Sequence, residues 1–327
     1  MHSQIGAKPK RFQELWVSTQ YYAPRGKERL LSLGEQLAHQ HLSFTDRLIG
    51  FIGDAGSGKS SLIKGIFPGL ELANDDDLLD PRKIMQVRQG MDNLREASTY
   101  HIDMRFQSAF TQMYEIVDFV QEALEKGKRV VVEHFNLLNQ ALGRNADLLF
   151  AIGEEIIVTR PSIFGPQPQT LYDIVHESLR YRKMAHSAEE VTAYALEGLF
   201  GIDMSEYYSA DVPKGFVLKF NDNPQLNKED LDKLERRIQE LILEDIPIDY
   251  FDDHHIKIGD EIKPCDGPRI HVRSTGMIEN FSLHKELIYD KRYDAYCLVG
   301  LLDSDPRNHE LLHNRNSFYF IKKMYDI

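Results

Sequence analysis

The sequence contains a complete G-x-x-x-x-G-K-[ST] pattern, Gly53-Asp54-Ala55-Gly56-Ser57-Gly58-Lys59-Ser60. The run before it, residues 48–52, is short, apolar and β-prone, which is typical of a buried parallel strand. The residues after it, 61–67, carry apolar side chains at helical spacing. In such a strand–loop–helix segment, glycines let successive backbone N–H groups turn toward an anion at the positive end of the helix.

Each position of this loop has a predicted role in binding a phosphate chain. We expect Lys59 to reach the β- and γ-phosphates and the hydroxyl of Ser60 to ligate Mg²⁺. The pattern therefore predicts a site for a nucleoside triphosphate, ATP or GTP, with Mg²⁺ as cofactor. The predicted nucleotide-binding residues are Gly53, Asp54, Ala55, Gly56, Ser57, Gly58, Lys59, Ser60 and Ser61.

Acidic residues that follow two predicted strands are candidates for catalysis. Residues 70–74 have a strand pattern, and an aspartate run that includes Asp75 and Asp77 comes next. Because carboxyl ends of parallel strands face the ligand crevice, one of these aspartates is predicted to accept a proton or to hold Mg²⁺ through water. A solvated loop is the alternative. A later apolar strand ends at Glu133, which is predicted to lie across from Mg²⁺ or an attacking water.

Basic residues on a long predicted helix are candidates for stabilising transferred charge. Residues 170–200 have helical periodicity and carry Arg180 and Arg182. A helix above a phosphate site can act as a mobile lid whose guanidinium groups balance the charge of the γ-phosphoryl group. The alternative is a solvated helical face.

Strands and helices alternate from residue 47 to about 215, which predicts an α/β fold with a parallel sheet covered by helices on both faces. The segment resembles the nucleoside-kinase type of P-loop NTPase in its phosphate-binding loop, its aspartate run and its arginine-bearing helix. This resemblance implies a Mg²⁺-dependent phosphotransferase. Because Glu133 stands where ATPases usually have Asp, the sequence leaves kinase and ATPase open.

The second half of the chain has a different order of motifs. An amphipathic helix is predicted to begin near Asn227 and is followed by Cys265-Asp266-Gly267-Pro268-Arg269-Ile270-His271-Val272-Arg273-Ser274-Thr275-Gly276-Met277-Ile278,. This stretch resembles the second additional domain of alanyl- and threonyl-tRNA synthetases. The resemblance rests on the order of a Cys, a Gly, a His-Val pair and a Ser-Thr-Gly run before an aliphatic residue. The resemblance covers roughly residues 216–302. It implies a smaller α+β module that recognises tRNA or another ligand.

The same resemblance implies a metal site, which this sequence matches only in part. In those domains a Cys and a His complete a site with an upstream H-x-x-x-H pair, and no such pair precedes Cys265. Five residues separate Cys265 from His271, where the family has three. Together with His255 they would supply three ligands of the type that Zn²⁺ prefers, whereas a structural site needs four. The sequence therefore favours a metal-free module over a zinc site.

The bulk composition is that of a soluble globular protein. The 327 residues suggest two domains, and 42% are hydrophobic and 28% charged,. No apolar run is long enough to span a membrane, the first residues lack the apolar core of a signal peptide, and two cysteines form no disulfide framework. We therefore expect a cytoplasmic protein without a membrane partner. The net charge of −12 argues against extended nucleic-acid contacts, but not against a small basic patch that grips an RNA end,.

The predicted organisation is a helical N-terminal extension (1–46), a P-loop nucleotide-binding domain (47–215), the synthetase-like module (216–304) and a C-terminal tail (305–327). The favoured function is an ATP-dependent phosphotransferase whose C-terminal module selects the substrate. A nucleotide-hydrolysing switch whose module binds tRNA or another partner, and a trans-acting aminoacyl-tRNA deacylase, are the alternatives. The predicted catalytic residues are Lys59, Asp75, Asp77, Glu133, Arg180 and Arg182.

Overall fold

The computed structural model describes residues 18–70 and 98–302. These residues form seven α-helices and fourteen β-strands. The helices are α1 (Lys27–His41), α2 (Lys59–Ile66), α3 (Met104–Gln107), α4 (Met113–Glu125), α5 (Asn139–Leu142), α6 (Pro168–Phe200) and α7 (Lys228–Leu243). The first strands are β1 (Ser18–Tyr22), β2 (Leu48–Ile52), β3 (Thr99–Asp103), β4 (Arg129–Glu133), β5 (Leu148–Ile152), β6 (Glu155–Thr159) and β7 (Tyr207–Val212). The others are β8 (Gly215–Phe220), β9 (Ile248–Asp252), β10 (His255–Ile258), β11 (Glu261–Pro264), β12 (Ser282–Leu283), β13 (Ile288–Asp290) and β14 (Ala295–Leu301).

Six strands form the first sheet, in the order β1-β6-β5-β2-β4-β3. Strands β3, β4, β2 and β5 are parallel, whereas β6 and β1 are antiparallel to their neighbours. The predicted α/β class is confirmed, but the prediction of an all-parallel sheet is wrong at one edge. The reason is local, since only two residues join β5 to β6, and a parallel return needs a crossover of a dozen or more,.

The N-terminal part of the described chain contains a strand where the sequence predicts helix. Residues 18–22 pair with β6 along their whole length and form an edge of the sheet. Their sequence, Ser-Thr-Gln-Tyr-Tyr, is rich in the Thr and Tyr that favour strands, and their burial alternates along the strand,. The predicted helix then follows as α1.

Helices pack on both faces of the first sheet. Helices α1 and α2 cover one face, where Leu30, Leu37 and Ile63 are buried together. The two helices approach closely because a glycine on each faces the other, and a Cβ on Gly34 would lie 2.9 Å from the Cα of Gly65. This contact positions α2, which begins at the last residues of the phosphate-binding pattern.

The second half contains an antiparallel five-stranded sheet and a separate three-stranded sheet. As predicted, α7 begins after Asn227, whose side chain accepts hydrogen bonds from the backbone N–H groups of Glu229 and Asp230,. A strand predicted at residues 270–272 is instead an irregular loop. That loop carries His271, and its path is described with the site below.

Helix α6 contributes to both halves of the molecule. Its first part buries Leu171 and Val175 against the first sheet, and its second part buries Ala188 and Leu196 in the core of the second half. The change from one core to the other therefore takes place within a single 33-residue helix. Despite this length, neither α6 nor any other described helix is apolar over a long enough stretch to cross a membrane.

The two-residue turn between β5 and β6 contains a buried acid whose titration affects stability. Glu154 accepts a hydrogen bond of 2.6 Å from the backbone N–H of Lys214, but burial outweighs it and, with the charge of Glu155, raises the pKa of Glu154 to about 7. The stability from protonated Glu154 is fully present below the unfolded pKa of 4.5 and is lost as pH rises through about 7,.

We expect Glu154→Gln to remove this pH-dependent loss, because Gln resembles the protonated acid. Between pH 4.5 and 8 the wild type should lose on the order of 3 kcal/mol more of its free energy of unfolding than the variant does. Urea unfolding across this range measures the difference. The exposed Glu125→Gln is the matched control and should follow the wild type. Parallel curves for wild type and Glu154→Gln would contradict the prediction.

Candidate functional site

A cavity of about 560 Å³ lies between the carboxyl ends of β2, β3 and β4 and a loop from the second half of the chain. Six Lys or Arg residues and four Asp or Glu residues line it, although the whole chain has a net charge of −12. This local excess of positive charge suits an anionic ligand. The charged lining residues are Arg25, Lys27, Lys59, Lys64, Arg105, Arg269, Asp103, Glu133, Asp253 and Asp266.

The phosphate-binding pattern forms the turn between β2 and α2, on one wall of this cavity. Gly53, Gly56 and Gly58 have φ angles of 147°, 76° and 96°. Side chains with a Cβ rarely adopt these angles, so the turn requires glycine at these positions. Since α2 begins at Lys59, the positive end of that helix faces the cavity,.

Lys59 is folded across the turn that precedes it. Its ammonium donates to the backbone carbonyls of Asp54 at 2.7 Å and Gly53 at 3.2 Å, and it lies 4.0 Å from a carboxylate oxygen of Glu133. Burial lowers the pKa of Lys59, and the negative charges of Glu133 and Asp103 offset part of that effect. Its two carbonyl contacts are those that a bound phosphate would replace.

Glu133 is the centre of a buried polar group at the ends of β3 and β4. Its Oε1 accepts a hydrogen bond of 3.3 Å from the hydroxyl of Ser60 and lies 3.2 Å from Nε2 of His101. The parallel register pairs Asp103 with Glu133, which brings both carboxyl groups to the same edge of the sheet. The ligand atoms of Asp103, Glu133 and His134 all lie within 4.8 Å of one another.

The charge states of this group follow from its surroundings. Burial alone would raise the pKa of Glu133, but the hydrogen bond and charge of His101 and the charge of Lys59 lower it overall. Burial and the charges of Lys59 and Arg105 lower the pKa of His134 to about 3, so its imidazole is neutral at pH 7. Two carboxyl groups and a hydroxyl are the oxygen ligands that Mg²⁺ prefers.

Helix α6 holds the phosphate-binding turn from outside. Asp54 accepts a hydrogen bond of 2.9 Å from the hydroxyl of Tyr172, and its other oxygen lies 2.6 Å from Nδ1 of His176. Burial would raise the pKa of Asp54, but these two hydrogen bonds and the charges of His176 and Arg105 lower it. Asp54 therefore anchors the turn to α6 as a carboxylate.

The two arginines predicted to form a mobile lid do not line the cavity. Arg180 is on an exposed face, with its guanidinium 4.7 Å from the ring centre of Tyr181. Arg182 is 1% exposed and donates to the backbone carbonyl of Ser57 at 2.6 Å. Arg182 thus holds the phosphate-binding turn from behind, because full burial prevents it from moving as a lid would.

The cavity instead contains Arg105 and Arg269, which were not predicted as site residues. The predicted catalytic Asp75 and Asp77 lie outside the described residues.

A second group of potential ligands lies under the loop that closes the cavity. Sγ of Cys265 lies 3.5 Å from Nε2 of His186 and 3.3 Å from Nε2 of His271. Oε1 of Glu190 is 3.3 Å from the same Nε2 of His186. The ligand atoms of His186, Cys265 and His271 all lie within 4.8 Å of one another. We call these three residues, together with Glu190 beside them, the buried cluster. His255 is not part of it, since its Nδ1 contacts the carboxylate of Asp252 at 2.8 Å on the surface.

Without a metal ion, the environment favours the uncharged form of every member of the buried cluster. Burial lowers the pKa values of His186 and His271 well below the usual range and raises the pKa of Cys265. Burial also raises the pKa of Glu190 to about 8, against a partly compensating hydrogen bond with Cys265. A buried divalent cation would reverse this preference, because thiolate and carboxylate together would balance its charge.

Sequence reasoning missed His186 and Glu190, although a signal was present. The two residues are four apart on α6, so they lie on one face of the helix as the two histidines of an H-x-x-x-H pair do,. The H-x-x-x-H pattern has histidine at its first and last positions, whereas this chain has His186 and Glu190 there. Asp103 was also missed, because its strand reads as Thr-Tyr-His-Ile-Asp, which is not uniformly apolar.

Comparisons with known proteins add little. No protein-family model matches the chain, and no curated protein matches it. Among solved structures, it is similar to a transaminase from the marine bacterium Virgibacillus, with 8% identity over 90% of this chain and 73% of that chain. The TM-score of 0.20 is too low to support any argument about fold or activity.

Proposed function

We propose that this protein is a P-loop phosphotransferase that uses a Mg²⁺-bound nucleoside triphosphate, ATP or GTP, in the cytoplasm. The observation that carries the proposal is the convergence of a glycine turn, Lys59, Ser60 and two strand-end carboxyl groups in one positively lined cavity. The glycine turn and the start of α2 would bind phosphate oxygens through backbone N–H groups. Mg²⁺ would be held by Ser60 and Glu133 and would neutralise charge on the phosphates when bound.

The remaining residues have separable roles in the proposed transfer. Lys59 would leave its two carbonyl partners and balance the charge of the transferred group, while Arg105 lines the same cavity,. Asp103 would accept the proton of the acceptor hydroxyl, because it lines the cavity and lies beside Glu133,. His134 would contribute no charge, since its imidazole is neutral.

Nucleotide turnover with candidate acceptors tests this function directly. Purified full-length protein would be incubated with Mg²⁺ and γ-labelled ATP or GTP, alone, with a panel of nucleosides, and with charged or deacylated tRNA. Label on a small acceptor is the expected result. Hydrolysis that only tRNA stimulates, with no labelled acceptor, would favour the nucleotide-driven switch instead. Release of amino acid from mischarged tRNA without nucleotide would favour the deacylase.

We further propose that the buried cluster binds Zn²⁺. In a tetrahedral zinc site with ordinary bond lengths, neighbouring N, O and S ligands are separated by about 3.3–3.6 Å. The distances from Sγ of Cys265 to His186 and His271 are 3.5 and 3.3 Å and lie near this range, and these three residues are the close group of ligands. Glu190, 3.3 Å from His186, is the candidate for a fourth ligand. Nδ1 of His271 lies 3.1 Å from the hydroxyl of Ser187, which orients its Nε2 toward the cluster,. His186 and Glu190, which precede the predicted synthetase-like module, would then take the place of that family's upstream H-x-x-x-H pair.

Metal analysis of purified protein tests the zinc site. We expect about one equivalent of zinc in the wild type and its loss in His186→Ala, because that change removes one of the three close ligands,. The matched control is His255→Ala, which alters a surface histidine and should keep the zinc. Equal zinc content in both variants, or none in the wild type after refolding with Zn²⁺, would contradict the proposal. Elemental analysis by mass spectrometry provides the readout.

A further inference from the structure

One loop links the buried cluster to the proposed nucleotide site. The loop begins at Cys265 and ends at His271, and both of these residues are members of the buried cluster. Between them, residues 266–270 form a wall of the cavity. The backbone carbonyl of Arg269 lies 3.3 Å from the position of a Cβ on Gly56, so the loop packs directly on the phosphate-binding turn.

Close packing holds this loop in place. A Cβ on Gly267 would lie 2.5 Å from the carbonyl oxygen of Arg25 and 2.6 Å from the ring of His186. No side chain fits in that space. The carbonyl of Asp266 accepts a hydrogen bond of 3.0 Å from the backbone N–H of Lys27, which itself lines the cavity. A shift of Cys265 or His271 would therefore be transmitted to the cavity wall.

Helix α6 forms a second link between the same two sites. Arg182 and His186 are one helical turn apart, and their side chains reach the phosphate-binding turn and the buried cluster respectively. Arg182 and His186 are buried, and so are Cys265, Gly267 and Ile270 of the loop. Such a connection lets binding at one site change the free energy of binding at the other.

We propose that Arg269 contacts the phosphates of a bound nucleoside triphosphate, and that metal in the buried cluster sets its position and so raises the affinity for nucleotide. The inference rests on the proposed nucleotide site. Arg269 is suited to this role because it lines the cavity, and because its guanidinium lies 4.9 Å from the ring centre of Tyr250 and contacts Asp253, another lining residue. Arginine is a strong ligand for phosphate because its planar fork presents several donors.

The direction of the effect follows from preorganisation. A metal ion that joins Cys265 to His271 closes the loop into a ring and reduces the conformations that residues 266–270 can adopt. Less ordering is then required when nucleotide binds, so affinity rises. Linkage is reciprocal, and bound nucleotide must raise the affinity for the metal by the same factor.

The inference is tested by calorimetric titration of full-length protein with Mg²⁺ and a non-hydrolysable ATP or GTP analogue. The titration is done before and after a zinc-selective chelator has removed the zinc. We expect zinc removal to weaken nucleotide binding by the wild type by about 5- to 150-fold, the usual range for coupled sites. Arg269→Ala should bind nucleotide about tenfold more weakly than the wild type, because it removes a charge-assisted hydrogen bond to phosphate. Zinc removal should then have little further effect. Arg273→Ala removes the same charge from an exposed position just outside the loop and should behave as the wild type. Nucleotide should also slow the extraction of zinc by the chelator.

The outcomes separate this inference from the proposed function. If the wild type binds nucleotide equally well with and without zinc, or if Arg269→Ala and Arg273→Ala both bind as the wild type does, the inference is overturned while the nucleotide site stands. Absence of bound zinc also overturns it. If the wild type binds no nucleotide and Lys59→Ala changes nothing, the proposed function itself fails. Circular dichroism before and after chelation distinguishes a changed affinity from loss of the fold.

Discussion

Lys59→Ala is expected to reduce nucleotide turnover by about 10²- to 10³-fold, the usual cost of removing one positioned charge-stabilising group. The expectation rests on the position of the ammonium, which lies among the carbonyls of the phosphate-binding turn and 4.0 Å from Glu133. Lys59 is the first residue of α2, directly after Gly58 of the turn. Rates of phosphate transfer or release at saturating Mg²⁺-nucleotide measure the effect.

The control for Lys59→Ala is Lys126→Ala, which removes an exposed lysine that follows α4 and pairs with Glu122 on its surface. Surface ion pairs of this type contribute little to stability, so this variant should turn over nucleotide at the wild-type rate. Glu133 keeps its contact with His101 in Lys59→Ala, and the fold should therefore survive. Unchanged turnover in a folded Lys59→Ala protein would refute the P-loop assignment.

Asp103→Asn is expected to reduce phosphoryl transfer by about 10²- to 10⁴-fold, the contribution of a positioned general base. The same change should leave nucleotide affinity nearly unaltered, because backbone groups and Lys59 bind the phosphates. Asn is as good an N-cap as Asp. In the wild type, the backbone N–H groups of Arg105 and Phe106 donate hydrogen bonds to the side chain of Asp103. These hydrogen bonds should persist with Asn at this position, and α3 should persist with them. Separate measurement of nucleotide affinity and transfer rate distinguishes the two effects.

Asp203→Asn provides the matched control for Asp103→Asn. Asp203 also caps a helical turn, through the backbone N–H of Ser205, but it lies outside the cavity lining. Its replacement should leave both nucleotide affinity and transfer unchanged. Equal transfer rates in Asp103→Asn and Asp203→Asn would show that Asp103 is not the base, and Glu133→Gln would then be the variant to examine.

The parts of the structure that depend on neighbours in sequence were predictable. The strand before residue 53, the glycine turn and the helix after it appear where the pattern placed them. The same is true of α7, where the Asn227 cap and the stripe that includes Leu231 and Leu234 are both local signals. In each case the φ angles, the cap or the apolar spacing follow from residues a few positions apart.

The placement of the two arginines depends on contacts that no local pattern reveals. Helical spacing could not distinguish Arg180, on an exposed face, from Arg182, which is fully buried behind the phosphate-binding turn. What distinguishes them is the carbonyl of Ser57, 125 positions away in the chain. The antiparallel β6 is an intermediate case, since the two-residue turn before it was visible in the sequence but was not used.

The buried cluster shows most clearly what tertiary structure adds. Sequence alone was sufficient to predict a glycine turn between β2 and α2, because eight consecutive residues determine its backbone geometry. The buried cluster joins His186 and Glu190 of α6 to Cys265 and His271 of a loop some eighty residues later. Only the packing of that loop between α6 and the phosphate-binding turn brings those ligands together. It leaves out His255, which the sequence had offered as a possible third ligand. The distances between these ligand atoms are set by the folded chain. The number of residues between two segments does not specify whether those segments pack against each other.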